Sequence, residues 1–279
     1  METYRALRVL RADRGGSSWP VLIDTDAGVF HTKLRGAAQA PASLVAEIVV
    51  GALADVLGLS VSVRVLIDIP PDVPVDDPHQ ELGDLLRRSV GRNLGFQFMP
   101  DVRSFHPIKD VPHVDRELAS RIVWLDGLVQ NPDRTAKNPN LLWSHGALWL
   151  IDHGASLGFQ HDWPRVTEQS PRSNGWQLGR HVLQSRATEL QVVDAALASR
   201  LHRDELESAL DAVPDDFLSE DGREATRRRR AAFVAFLWKR LQGHRPFMPA
   251  TGVRLADDVV AAEDRARPVA AGSASCRSA

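Results

Sequence analysis

The stretch from Asn131 to Gly154 constrains this chain more than any other. It holds two acidic segments, Asn131-Pro132-Asp133-Arg134-Thr135-Ala136-Lys137-Asn138 and Leu150-Ile151-Asp152-His153-Gly154, with Asp133 and Asp152 nineteen positions apart. Between them, Asn140-Leu141-Leu142-Trp143 and Ala147-Leu148-Trp149-Leu150-Ile151 read as two short strands joined at Ser144-His145-Gly146. Asp152 therefore falls at the end of a hairpin, and a fold must be found that uses both acidic loops.

With 279 residues, 43% of them hydrophobic, the chain can bury a full core and fill one large domain or two lobes. Lys+Arg 34 against Asp+Glu 36 gives a formal net charge of -2, which argues against a nucleic-acid or anionic-membrane binder. The one cysteine, Cys276, excludes an internal disulfide and a cysteine-based metal site. The N-terminus lacks a secretory signal, and no apolar run approaches the roughly 20 residues of a membrane span, so a soluble, cytoplasmic protein is expected.

Val21 to Asp24 and Val29 to Leu34 flank Asp26-Ala27-Gly28, a hairpin signature in which Val29, His31 and Lys33 share one face. Pro41-Ala42-Ser43 opens a helix through Leu44, Ile48, Leu53 and Leu57 that stops at Gly58 and carries Glu47. Val61 to Ile69 reads as one strand, Glu81 to Val90 as a short helix, and Leu94 to Pro100 as a strand running into a linker. Helical periodicity follows over Val114 to Val129, leading directly into the Asp133 loop, and over about 186–211 and 222–242. The division expected is a β-rich part over residues 1–98, a mainly helical part over 99–250, and a disordered tail over 251–279, within an α+β class.

Phosphoryl transfer needs a hydroxyl held in line with a phosphate whose oxygens are neutralised by metal ions and cations. The chain supplies parts for this in order: Lys33 at a strand end to contact phosphates, Glu47 to orient it as an ion pair, then the Asp133 and Asp152 loops. Asp133 and Asn138 have the Asp-x-x-x-x-Asn spacing in which the Asp meets the substrate hydroxyl and the Asn helps hold magnesium. Gly15-Gly16-Ser17-Ser18 stands where a loop covering the phosphates belongs, although a flexible turn would look the same.

These residues, with Thr32-Lys33, Leu44-Val45-Ala46-Glu47 and Asn138-Pro139-Asn140-Leu141-Leu142, resemble the HipA-like kinase family, distant relatives of protein kinases and phosphoinositide lipid kinases. The resemblance runs from about residue 15 to 160 and is most specific from Asn131 to Gly154. It implies a two-lobed kinase-like fold with ATP in the cleft, Asp133 as catalytic base, Asn138 and Asp152 as Mg2+ ligands, and Lys33 on the phosphates. By resemblance, the acceptor is a protein serine or threonine. The chain departs from protein kinases in having Asn131-Pro132-Asp133 for His-Arg-Asp and His153 for the Phe of Asp-Phe-Gly.

Rival readings stay open. His145, His153 and His161 with Asp152 and Asp162 offer a transition-metal set, without the His-x-x-x-His of a helical site. Arg227 to Arg230 read as a solvated helix paired to Glu224 or Asp221, and Gly158 to Gly175 as a substrate-facing loop. A nucleotide-binding pseudokinase, a regulatory module with a partner protein, and a lipid or small-molecule kinase share the same sequence features.

Overall fold

The computed structural model describes residues 1–12, 20–37, 41–77, 79–99, 101–173, 176–218 and 222–249. Contacts divide the chain into Met1–Met248 and Pro249–Ala279, and the architecture below is that of the first unit. The expected tail over 251–279 lies outside the described residues.

The elements run β1 (Thr3–Ala12), β2 (Val21–Thr25), β3 (Gly28–Lys33), α1 (Ala42–Val56), β4 (Ser60–Val61), β5 (Arg64–Ile69), α2 (Gln80–Arg87) and β6 (Gly91–Gln97). They continue with β7 (Val102–Ser104), α3 (Pro107–Asp110), α4 (Arg116–Val129), β8 (Leu141–Ser144), β9 (Ala147–Leu150), α5 (Leu190–Ala198), α6 (Arg203–Asp211) and α7 (Arg223–Leu241). This is a mixed α+β chain, rich in strands early and in helices late. No helix among the described residues is long and apolar enough to cross a membrane.

Five strands close into a barrel in the order β1-β2-β3-β6-β5. The β2–β3 hairpin forms as its turn chemistry dictates: Thr25 Oγ1 donates to the Gly28 carbonyl at 2.7 Å and accepts from Ala27 N, while Gly28 takes φ 112°. Closure comes from β1 pairing parallel with β5, Thr3 opposite Leu66 and Tyr4 opposite Ile67. Val9, Val21, Ile23, Phe30 and Ile67 fill the barrel, and α2 covers one end with Leu82, Leu85 and Leu86. On β3 the alternation is strict. Phe30 and Thr32 point inward and are buried, so Lys33 projects from the outer face.

The expected single strand from Val61 to Ile69 is instead two. Val61 pairs with Leu150 in a second sheet, ordered β4-β9-β8-β7, whereas Arg64 onward joins the barrel. An apolar run cannot reveal that its two halves pair with different partners. The β8–β9 hairpin stands where the alternation placed it, with His145 at φ 49° and Gly146 at φ 76° in its turn. Helix α1, almost wholly buried, packs against β4 and α6, and it ends before Gly58 at φ 68° as the sequence indicates. The expected helix over 186–211 is two, α5 and α6.

Helix α4 packs on α5 and α7 and delivers the chain to the Asp133 loop. Its end is built by Gln130 in the left-handed region, φ 56°, with Asn131 N donating to the Asp126 carbonyl at 2.8 Å. The carbonyls of Gly127 and Leu128 in its last turn accept from Arg240 of α7 at 2.8 and 2.9 Å. The same buried guanidinium donates to the carbonyls of Pro171 and Ser173, both at 3.0 Å.

Candidate phosphoryl-transfer site

Three elements distant in sequence meet at one ammonium. Lys33 Nζ lies 2.5 Å from Glu47 Oε1 and 2.5 Å from Asp152 Oδ1, joining β3, α1 and the loop after β9. The Lys33 side chain is largely buried and Glu47 wholly so. Burial alone disfavours the charged lysine, but the two carboxylates outweigh it and hold its pKa above the ordinary lysine value. Glu47 Oε1 also accepts from Gly154 N at 3.0 Å. A Cβ at Gly154 would sit 3.2 Å from Ser43 Cβ and 3.4 Å from Glu47 Oε1, so this close approach favours glycine. Asp152 itself takes φ 56°, a conformation that costs a non-glycine residue on the order of 1 kcal/mol and that aims its carboxylate at the lysine.

The Asp133 loop is held from behind. Asp133 Oδ2 accepts from Asn138 Nδ2 at 2.8 Å and from Asn140 Nδ2 at 3.1 Å, and the backbone N of Asp133 donates to Asn131 Oδ1 at 3.0 Å. Oδ1 of Asp133 has no partner among the described residues. Arg134 points away from solvent, fully buried, onto Asp126 at 2.6 Å. Its other donors reach the Asn140 carbonyl, the Ile151 carbonyl at 3.4 Å and His153 Nδ1 at 3.3 Å. One guanidinium thus clamps the Asp133 loop to the Asp152 loop.

Asp126 anchors that clamp. Its carboxylate also accepts from His181 Nε2 at 2.9 Å and Asn131 Nδ2 at 3.0 Å. Burial opposes its ionisation, yet Arg134 and His181 hold it well below the usual carboxylate range. His153 is buried, and burial together with the Arg134 charge pushes it down to about 3, so it is neutral at physiological pH. Because arginine only donates, Nδ1 accepts and the proton resides on Nε2.

A cavity of about 540 Å³ opens beside Lys33, Glu47 and Asp152. Val61, Phe96, Met99, Leu142 and Leu150 give it apolar surface, the Phe96 ring centre lying 5.9 Å from Lys33 Nζ, and Ser62, Arg64, Gln97 and Ser104 add polar groups. It therefore combines apolar surface with the charges of Lys33, Glu47 and Asp152. Asp133 and Asn138 are not among its lining residues. They sit past the Asp152 loop, coupled to it through Arg134 and through Ile151 N donating to the Asn140 carbonyl at 3.1 Å. Gly15, Gly16, Ser17 and Ser18 lie outside the described residues.

Among the described residues no three His, Cys, Asp or Glu side chains converge on a cation position, including the histidine set weighed from sequence. The donors present suit magnesium instead. Asp152 keeps one carboxylate oxygen clear of Lys33 and is 41% exposed, and Asn138, with its nitrogen on Asp133, leaves its amide oxygen available. A carboxylate and an amide oxygen are both oxygen donors of the kind that magnesium takes.

Sequence reasoning assigned no site role to Asp126, Asn140, Trp176 or His181. Trp176 Nε1 donates to the Asn131 carbonyl at 2.7 Å, and Val182 N donates to the Arg134 carbonyl at 3.0 Å, so residues 176–182 brace the Asp133 loop. Asp126 left a signal, an acid inside the apolar run Val123-Trp124-Leu125-Asp126-Gly127-Leu128-Val129. The stretch expected to face substrate, Gly158 to Gly175, packs largely on α7. Phe159 stacks on Phe236 at 3.7 Å, Trp163 meets Phe233 edge-on at 5.0 Å, and Arg229 lies over Trp163 at 4.5 Å. Asn174 and Gly175 lie outside the described residues.

The family profile described as HipA-like kinase matches residues 7–242. No curated protein matches the chain significantly. Among solved structures, the crystal structure of a Helicobacter pylori proinflammatory kinase, CtkA, is similar at 12% identity, covering 85% of this chain and 97% of that one with a TM-score of 0.46. With a family profile spanning most of its length, the chain belongs to the HipA-like kinase family.

Proposed function

We propose that this chain moves the terminal phosphate of ATP to a serine or threonine hydroxyl of a protein, with residues 1–98 and 99–250 as the two lobes of a kinase-like fold. The observation that carries the reading is the meeting of Glu47, Lys33 and Asp152 at 2.5 Å contacts beside a cavity that also presents Val61, Phe96, Met99, Leu142 and Leu150. Adenine fits the apolar surface and the phosphates fit the charged groups. Arriving phosphate oxygens compete with Asp152 for Lys33, freeing that carboxylate for a cation.

In the transfer, the acceptor oxygen bonds to the terminal phosphorus as the bond from that phosphorus to the ADP oxygen breaks. The electron pair leaves with ADP, and the hydroxyl proton goes to Asp133 Oδ1. Asn138 and Asn140 fix the Asp133 carboxylate by holding its other oxygen. Magnesium, when held by Asp152 and Asn138, neutralises phosphate oxygens. Glu47 keeps Lys33 charged and in place. All of these polar residues being present favours an active enzyme over a pseudokinase.

Thermal denaturation with magnesium and ATP tests the nucleotide reading. At saturating ligand the wild type gains about 2.7 kcal/mol of stability at a concentration of about 100 Kd, and Asp152→Ala loses most of the gain. An equal shift in both proteins would remove Asp152 from the site.

A further inference from the structure

A second cavity, of about 360 Å³, adjoins the Asp133 loop at Pro132. Pro132, the residue before Asp133, forms one wall, and Gln130 and Trp176 flank it. Ala155 and Gly158, just past the Asp152-His153-Gly154 segment, leave it open, and Phe159 closes its far side. Pro132, Gly158, Gln177 and Arg180 are exposed, so this is a shelf across which a chain segment can lie.

The shelf is preformed. Trp176 is tied to the Asn131 carbonyl at 2.7 Å, and Phe159 is stacked on Phe236 of α7 at 3.7 Å. The amides of Gln130 and Gln177 can donate or accept, the Arg180 guanidinium only donates and carries the one formal charge of the lining, and none of the lining residues is acidic. Their side chains make no hydrogen bond or ion pair among the described residues, whereas Arg103, Arg134 and Arg230 are each spent on a carboxylate. A cation with no partner among the described residues, sharing a cavity with Phe159, Trp176 and the Pro132 that precedes the proposed base, is complementary to an anionic group near the reacting hydroxyl.

The geometry points to an acceptor site on this shelf for a serine or threonine peptide carrying Asp or Glu beside the hydroxyl, with Arg180 as the residue that selects it. The inference rests on the phosphoryl-transfer reading above and adds the acceptor class to it. The transfer step is the one already written, with the serine or threonine oxygen attacking and its proton passing to Asp133.

The test is a serine/threonine peptide library with Asp, Lys or Ala fixed in turn at each flanking position, phosphorylated by the full chain with magnesium and labelled ATP. Small alcohols bearing a phosphate or a carboxylate form a second arm. Wild type is expected to favour acidic over neutral peptides by about fivefold or more. Arg180→Ala should bring that ratio to about one, and Arg180→Glu should invert it toward Lys-containing peptides. No acidic preference, or one unchanged in both variants, overturns the inference, as does transfer to the small alcohols alone. If no peptide is labelled while magnesium and ATP still raise the melting temperature, the acceptor inference falls and the nucleotide site stands. If the thermal shift is absent as well, the phosphoryl-transfer reading falls with it.

Discussion

Asp126 and Arg134 show how one buried pair can set the position of atoms neither of them touches. Asp126 contacts no face of the cavity, yet it fixes the arginine that joins the Asp133 and Asp152 loops. Removing one partner leaves the other buried and uncompensated. Asp126→Ala is therefore expected to cost about 3–5 kcal/mol by urea denaturation, and a loss below about 1 kcal/mol would contradict the clamp. His153 gives a pH signature. Its folded pKa, about 3, lies below the 6.5 of an ordinary histidine, so the unfolded chain takes up a proton that the folded chain refuses. The stability His153 contributes is complete above pH 6.5 and falls as pH drops toward 3, by up to about 1.4 kcal/mol per unit. His181, also pushed down by burial, adds in the same direction. Urea midpoints at about pH 7.5 and about pH 5.5 should show the decline, and His153→Gln should reduce its slope. At this scale the sequence was informative where partners sit at a local spacing, as with Asp133 and Asn138, whose side chains meet at 2.8 Å. It was silent on His181 and marked Asp126 only as an acid inside an apolar run, because the roles of both depend on partners brought in by packing.

At the scale of elements, the parts of the site are as precise as the strand and helix ends that carry them. Lys33 ends β3, Asp152 follows β9, and Asp133 follows the left-handed exit of α4, so each side chain is set by where regular structure stops. The hairpins and α1 were legible because local turn chemistry and periodicity decide them. The split between β4 and β5 was not, because it is made by pairing with β9 in one case and with the barrel in the other. Nor was the part played by α7 legible. Of the arginines at 227–230, Arg227 and Arg228 pair with Glu224 as expected, and Arg230 pairs with Asp215. Asp221 lies outside the described residues. Arg240 serves four carbonyls at the exit of α4 and on the 171–173 segment. Arg240→Met would strand those acceptors and loosen the approach to Asp133. The expected loss is about 3 kcal/mol or more, read as a lower melting temperature, and a stable Arg240→Met protein would show that the last turn of α4 needs no side-chain donor.

For the whole molecule, the strand-rich part offers a rigid carrier for Lys33. A barrel has no free edge, and its closure by β1 and β5 joins residues about sixty apart in sequence, which no local pattern announces. The family match over residues 7–242 extends well beyond the segment whose motifs carried the resemblance in the sequence. What the sequence conveyed was the order of the chemical groups. What it could not convey was that Lys33 bridges two carboxylates, or that Pro132, Phe159, Trp176 and Arg180 share one cavity. The claim that joins these observations is that Asp133 takes the acceptor proton while Lys33 and Asp152 hold the nucleotide. The direct measurement is transfer of labelled terminal phosphate from ATP by wild type and Asp133→Asn, with nucleotide binding followed in the same samples. The account predicts transfer lowered by about 10²–10⁴-fold with binding retained; undiminished transfer by Asp133→Asn would contradict it.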